Sequence, residues 1–142
     1  MTLAQPLGNG VYLIDTLYVR PGLAASHLVV DEGRAAFVDT GAAPAAPRLL
    51  AALDELGIAR DQVDYLFLTH VHLDHAGGAG QLMQVLPNAR GVLHPRGAAH
   101  LVDRLSVRTR PPGRRPRPRR QPPAWWGSHL RTTRSRTRRP AP

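Results

Sequence analysis

The chain has 142 residues, enough for one domain with a sizeable core and too few for two. It contains no cysteine, which excludes disulfides and thiolate metal sites and leaves any metal to His, Asp and other oxygen ligands. The net charge of +9 is unevenly spread: residues 1–103 hold 6 Arg against 10 acidic residues, whereas residues 104–142 hold 13 Arg and no acidic residue.

Val11 to Ile14 reads as a short apolar strand after the turn-like Gly8-Asn9-Gly10. His27 to Val30 and Ala35 to Val38 flank Asp31-Glu32-Gly33-Arg34 and predict a hairpin. His27 lies inside an apolar strand and reads as a structural histidine. Pro44 to Leu56 predicts a helix, with Leu49, Leu50, Leu53 and Leu56 at helical spacing, Pro47 in the first turn and Gly57 as the C-terminal cap. Val63 to Leu68 predicts a buried strand, Ala79 to Leu86 a second helix, Gly91 to His94 a further strand, and Pro95 to Val102 a last helix. The pattern alone gives α/β. From Arg104 onward the sequence has no hydrophobic periodicity and is dominated by Pro and Arg, a composition that predicts disorder. The expected organisation is therefore a folded segment over 1–103 and a disordered basic tail over 104–142.

The strand over 63–68 delivers Thr69-His70-Val71-His72-Leu73-Asp74-His75, four metal-ligand side chains in six residues. Imidazole suits zinc, and a carboxylate among histidines allows a second divalent ion. The alternative, a polar loop with histidines facing water, leaves unexplained why three of seven histidines cluster beside an aspartate. Alternate residues on an extended loop share a face, so His70, His72 and Asp74 can converge while the chain turns to bring in His75. Asp39, in Asp39-Thr40-Gly41, is a candidate to orient a ligand histidine, or is a turn aspartate accepting backbone N–H bonds. Thr69 is a candidate to cap the loop. His94, His100 and His129 lie outside the motif.

Thr69 through Gly78 resembles the metal-binding signature of the metallo-β-lactamase superfamily, T-H-x-H-x-D-H followed by small residues. Phe37-Val38-Asp39-Thr40-Gly41 resembles the same family's D-T-G turn, and the resemblance runs from about Leu7 to Asp103. It implies the N-terminal half of an αβ/βα sandwich. It also implies a dinuclear metallo-hydrolase, with His70 and His72 serving one ion, Asp74 and His75 the other, and Asp74 as the candidate catalytic residue. Zinc is the expected metal, with iron or manganese also compatible. The expected substrate is a small thioester, lactone or other ester-type molecule, attacked by water activated between the two ions.

The family's later ligands, a histidine, a bridging aspartate and a final histidine, are not recognisable after Asp103. Two protein donors per ion predict weak binding and weaken the expectation of catalysis by this chain alone. All 19 basic residues are Arg, which implies a GC-rich gene, and a shifted reading frame near Asp103–Arg108 would produce such a tail. Half a sandwich exposes the face its partner should cover, which predicts aggregation or a homodimer through that surface. Arg and the Trp125-Trp126 pair suggest non-specific nucleic-acid binding as the rival function. An inert fragment is the third reading. The N-terminus has no signal-peptide pattern and no segment suits a membrane span, so a cytoplasmic protein is expected.

Overall fold

A computed structural model of the chain describes residues 2–108. Disorder beyond residue 108, a shifted reading frame there and nucleic-acid binding through the arginines concern residues outside the described ones.

Six strands form one sheet in the order β1-β2-β3-β4-β5-β6, each strand beside its sequence neighbours. β1 (Gln5–Gly8), β2 (Val11–Asp15), β3 (Ala25–Asp31) and β4 (Arg34–Val38) make an antiparallel meander. The β3–β4 turn places Glu32 and Gly33 at φ +46° and +74°, the two left-handed positions that a tight hairpin matched to strand twist demands. β5 (Val63–Leu68) and β6 (Arg90–Leu93) add in parallel to β4. Parallel neighbours need a crossover, and α1 (Ala46–Glu55) supplies the first one. It ends in a Schellman arrangement: Gly57 at φ +68° donates to the Asp54 carbonyl and Ile58 to that of Leu53.

Three more helices follow: α2 (Leu73–Ala76), α3 (Ala79–Val85) and α4 (Pro95–Arg108). Strand residues alternate between faces. Ile14, Leu28, Phe37 and Leu66 point to one face and bury against Leu49 and Leu53 of α1 and Leu82 of α3. A second cluster on the same side joins Leu68 and Leu93 to Ala76, Ala79 and α4 residues Ala98 and Leu101. The helices thus cover one face of the sheet, and among the described residues the other face is left open.

The expected strands and α-helices are present with shifted ends, and one strand and one α-helix are additional. β1 has no counterpart among the expected strands, and α2 forms inside the histidine motif. α4 continues to Arg108, through the boundary expected after Asp103. The change of composition there does not stop the helix, because arginine is a good helix former. No described helix is long and apolar enough to cross a membrane.

Candidate metal centre

The site sits at the end of the sheet where β4 and β5 both terminate. Their parallel register, with Val38 beside Phe67, brings Asp39-Thr40-Gly41 next to Thr69 and His70. Asp39 N–H donates to the Phe67 carbonyl at 2.7 Å, closing the sheet at its last rung. The chain then turns: Asp39 has φ +60° and Gly41 φ +65°. A Cβ at Gly41 would lie 2.8 Å from both the Ala45 Cβ and the Thr16 Cγ2, so only glycine fits there.

Asp39 is the hub of the site. Its side chain is buried, and Ser26, itself fully buried, donates its hydroxyl to the Asp39 carbonyl at 2.8 Å. The carboxylate accepts the Thr69 N–H at 2.8 Å on Oδ1. Its Oδ2 faces the Thr69 hydroxyl at 2.7 Å and His75 Nδ1 at 2.8 Å. A carboxylate can only accept, so His75 carries its proton on Nδ1 and turns the Nε2 lone pair outward. The Thr69 hydroxyl donates its single proton to Asp39, so its contact with His70 Nδ1 at 2.9 Å is one in which His70 donates. One buried carboxylate thereby fixes two imidazoles in the tautomer that offers Nε2 to an ion, His75 directly and His70 through Thr69.

α2 is held in place from the other side. Thr40 donates both its N–H, at 2.6 Å, and its hydroxyl, at 3.0 Å, to the His75 carbonyl. Gly78 N–H donates to the Gly41 carbonyl at 2.9 Å, and a Cβ on Gly78 would sit 2.6 Å from the Thr40 carbonyl oxygen. The glycine after the motif therefore permits the close approach of the two loops.

The donor groups gather around this frame. The ring of His70 lies 4.7 Å from that of His72 and 4.0 Å from that of His75, centroid to centroid. His75 Nε2 lies 3.3 Å from Asp74 Oδ2. With Nδ1 protonated, these two atoms both present lone pairs, which a cation between them would satisfy. The chemistry of the donor set therefore fits a divalent cation. The number of converged donors is smaller than a complete site needs: among the described residues, no three His, Asp or Glu groups are gathered as a metal cage. Exposure rises from buried Asp39 to exposed His72, so the site opens outward.

The remaining histidines have other surroundings. His94 follows β6 at the same edge, and its Nδ1 accepts the Arg96 N–H at 3.3 Å at the start of α4. His27 is half-buried and points to the helix-free face of the sheet, not into the core. Sequence reasoning gave Thr40 no role beyond its place in the Asp39-Thr40-Gly41 turn, and it missed Ser26, whose only signal was a small polar residue in a largely apolar strand.

A sequence model of the metallo-beta-lactamase superfamily matches residues 19–133. The chain belongs to that superfamily. The match continues past Asp103 into the arginine-rich segment. Among characterised relatives, a hydroxyacylglutathione hydrolase of Salmonella paratyphi A is 39% identical over 80 residues, covering 54% of this chain and 30% of that protein. Its counterpart in Salmonella arizonae is 43% identical over 77 residues, 51% and 28% of the two chains. Solved structures give the same fold. A Cronobacter sakazakii metallo-beta-lactamase with a HARLDQ motif aligns with a TM-score of 0.60 at 23% identity, over 69% of this chain and 36% of that one. The subclass B3 metallo-beta-lactamase BJP-1 of Bradyrhizobium japonicum aligns at 0.58 and 20%, over 68% and 34%. This superfamily chain therefore spans about a third of the length of the proteins it matches.

Proposed function

We propose that the His70–His75 loop is one share of a two-ion hydrolytic centre that cleaves acyl thioesters, with His70 and His72 holding one zinc ion and Asp74 and His75 the other. The observation that carries this reading is the Asp39 hub, which aims the Nε2 atoms of two histidines outward and leaves His75 Nε2 facing Asp74 at 3.3 Å. A structural role for these histidines would not need both rings fixed in the ligand tautomer. The thioester is favoured over other ester-type substrates by the hydroxyacylglutathione hydrolases that match this region.

Bound divalent ions would supply Lewis acidity and bring the pKa of water towards neutrality. The chain's own residues do the rest. Asp39 keeps the His70 and His75 rings from rotating, which reduces the reorganisation needed at the reacting centre. Asp74, partly exposed beside His75, would take a proton from the attacking water. The water oxygen bonds to the thioester carbon, the C–S bond breaks, and the proton passes to the thiolate, giving a carboxylic acid and a thiol.

The test uses the full chain. Elemental mass spectrometry of purified protein is expected to find bound zinc that falls in His70→Ala/His72→Ala, which removes the donors to one of the two ions. A hydroxyacyl thioester of glutathione is then supplied, and thiol release is followed with a thiol reagent. The absence of cysteine in the chain removes its own background. Absent metal, or equal thiol release by the double variant, would sink the proposal.

A further inference from the structure

Position 26 interrupts the apolar pattern of β3. Residues 26, 28 and 30 alternate onto the helix-covered face, where Leu28 and Val30 join the core, yet position 26 is a serine and is fully buried. A buried hydroxyl is costly without a hydrogen-bond partner, and this one donates to the Asp39 carbonyl at 2.8 Å. Its place on β3 explains the pairing. The β3–β4 ladder runs from Asp31 opposite Arg34 to His27 opposite Val38. At the next position β4 has ended and the chain turns at Asp39. There the Ser26 side chain continues a tie between the two segments after the strand pairing has stopped.

Three elements thereby fix the backbone of Asp39. Its N–H donates to the Phe67 carbonyl of β5 at 2.7 Å, and its carbonyl accepts from Ser26 of β3. The Thr40 N–H, at the far end of the same peptide plane, donates to the His75 carbonyl of α2 at 2.6 Å. Asp39 at φ +60° lies in the left-handed region, which residues other than glycine occupy uncommonly and keep where their surroundings over-determine it. The carboxylate moves with that backbone, and its Oδ2 meets His75 Nδ1 at 2.8 Å. We propose that Ser26 is a positioning residue: its hydroxyl locks the Asp39–Thr40 peptide and so aims the Asp39 carboxylate at the His75 ring. Its effect on zinc rests on the two-ion reading above; its effect on the ring's tautomer does not.

The test uses the full chain, first metal-free and then with zinc. Ser26→Ala removes the hydroxyl and little else. At mildly alkaline pH, where imidazoles are neutral, long-range ¹H–¹⁵N spectra of the metal-free wild type are expected to show His75 protonated on Nδ1. Ser26→Ala is expected to show a mixture of tautomers. Competition with a chromophoric chelator should find zinc bound about tenfold more weakly, the lower end for loss of support behind a ligand histidine. Ser26→Thr, which retains a hydroxyl, should keep the wild-type tautomer and affinity. Val63→Ala opens a cavity in the core at the opposite end of β5 and controls for general loosening: it should melt earlier with tautomer and affinity unchanged. A Ser26→Ala protein whose His75 stays on Nδ1, or whose zinc affinity lies within twofold of wild type, would overturn the role assigned to Ser26. So would a tautomer mixture of equal extent in Ser26→Thr or Val63→Ala. A wild type that binds no zinc, with His75 still responding to Ser26→Ala, would remove the two-ion reading and support the positioning role.

Discussion

Asp39→Asn separates the charge of the hub from its shape. Asparagine has nearly the same volume and is among the few residues that tolerate φ near +60°, so the turn is not strained by the change. What changes is donor and acceptor count. The carboxylate accepts from the Thr69 N–H, the Thr69 hydroxyl and His75 Nδ1. An amide keeps one acceptor oxygen and sets an NH₂ group against a donor. If its oxygen stays on Thr69, the amide nitrogen faces His75, and the ring must move its proton to Nε2 to offer Nδ1 as an acceptor. That occupies the lone pair meant for a ligand. A charge-assisted hydrogen bond contributes about 1.5–3 kcal/mol and an unpaired buried donor costs about 1–3 kcal/mol, so a loss of about 2–3 kcal/mol is expected. In a domain of this size a loss of about 2 kcal/mol lowers Tm by roughly 8–16 °C. Loss of a carboxylate behind a ligand histidine typically weakens metal binding about 10–100-fold. Competition with a chromophoric chelator would read the affinity, and long-range ¹H–¹⁵N spectra of the imidazoles would read the tautomer. Zinc affinity within twofold of wild type, with His75 still protonated on Nδ1, would refute the reasoning.

Thr69→Val keeps the backbone N–H on Asp39 and removes the hydroxyl between Asp39 and His70; zinc affinity should fall about tenfold, Thr69→Ser should restore it, and chelator competition distinguishes the two. Gly41→Ala adds a Cβ 2.8 Å from Ala45 and Thr16 at φ +65°; overpacking and left-handed strain together should destabilise by about 2–4 kcal/mol, measured by urea denaturation. At the opposite end of the sheet, Arg34 hydrogen-bonds Asp64 and holds its carboxyl below the usual range, chiefly through that bond. A depressed folded pKa gives stability that is present above the unfolded value and lost as pH falls through the folded one. Thermal melts should therefore show Arg34→Met below wild type at neutral pH, with the gap closing in acid.

What the sequence revealed and what it concealed divide along range. β2 to β6 announce themselves through short apolar runs bounded by Gly, Asp and Asn, and α1 through leucines at three- and four-residue spacing. β1 does not, because Gln5-Pro6-Leu7-Gly8 is an exposed edge strand with no apolar alternation, and an edge is where a proline without an N–H is tolerated. α2 is hidden because its four residues belong to the ligand motif itself. The candidate ligand side chains at His70, His72, Asp74 and His75 were legible from composition over six residues. Their support was not: Asp39 lies 30 residues from Thr69, and only the parallel pairing of β4 with β5 joins them. Asp39 both turns the chain and contacts His75 Nδ1, so the turn reading and the ligand-orienting reading are compatible at this residue.

The sheet order has a consequence for how the molecule acquires its shape. Every strand pairs with the one made just before it, so the meander from β1 to β4 closes through short loops with little entropy cost, while β5 must wait for α1 to return. The frame that holds the histidines is thus finished late, and pulse-labelling of amide hydrogens during refolding should protect β2 and β3 before β5 and β6. Simultaneous protection would discard this order. On a ribosome, the chain would emerge in the sequence in which its sheet grows.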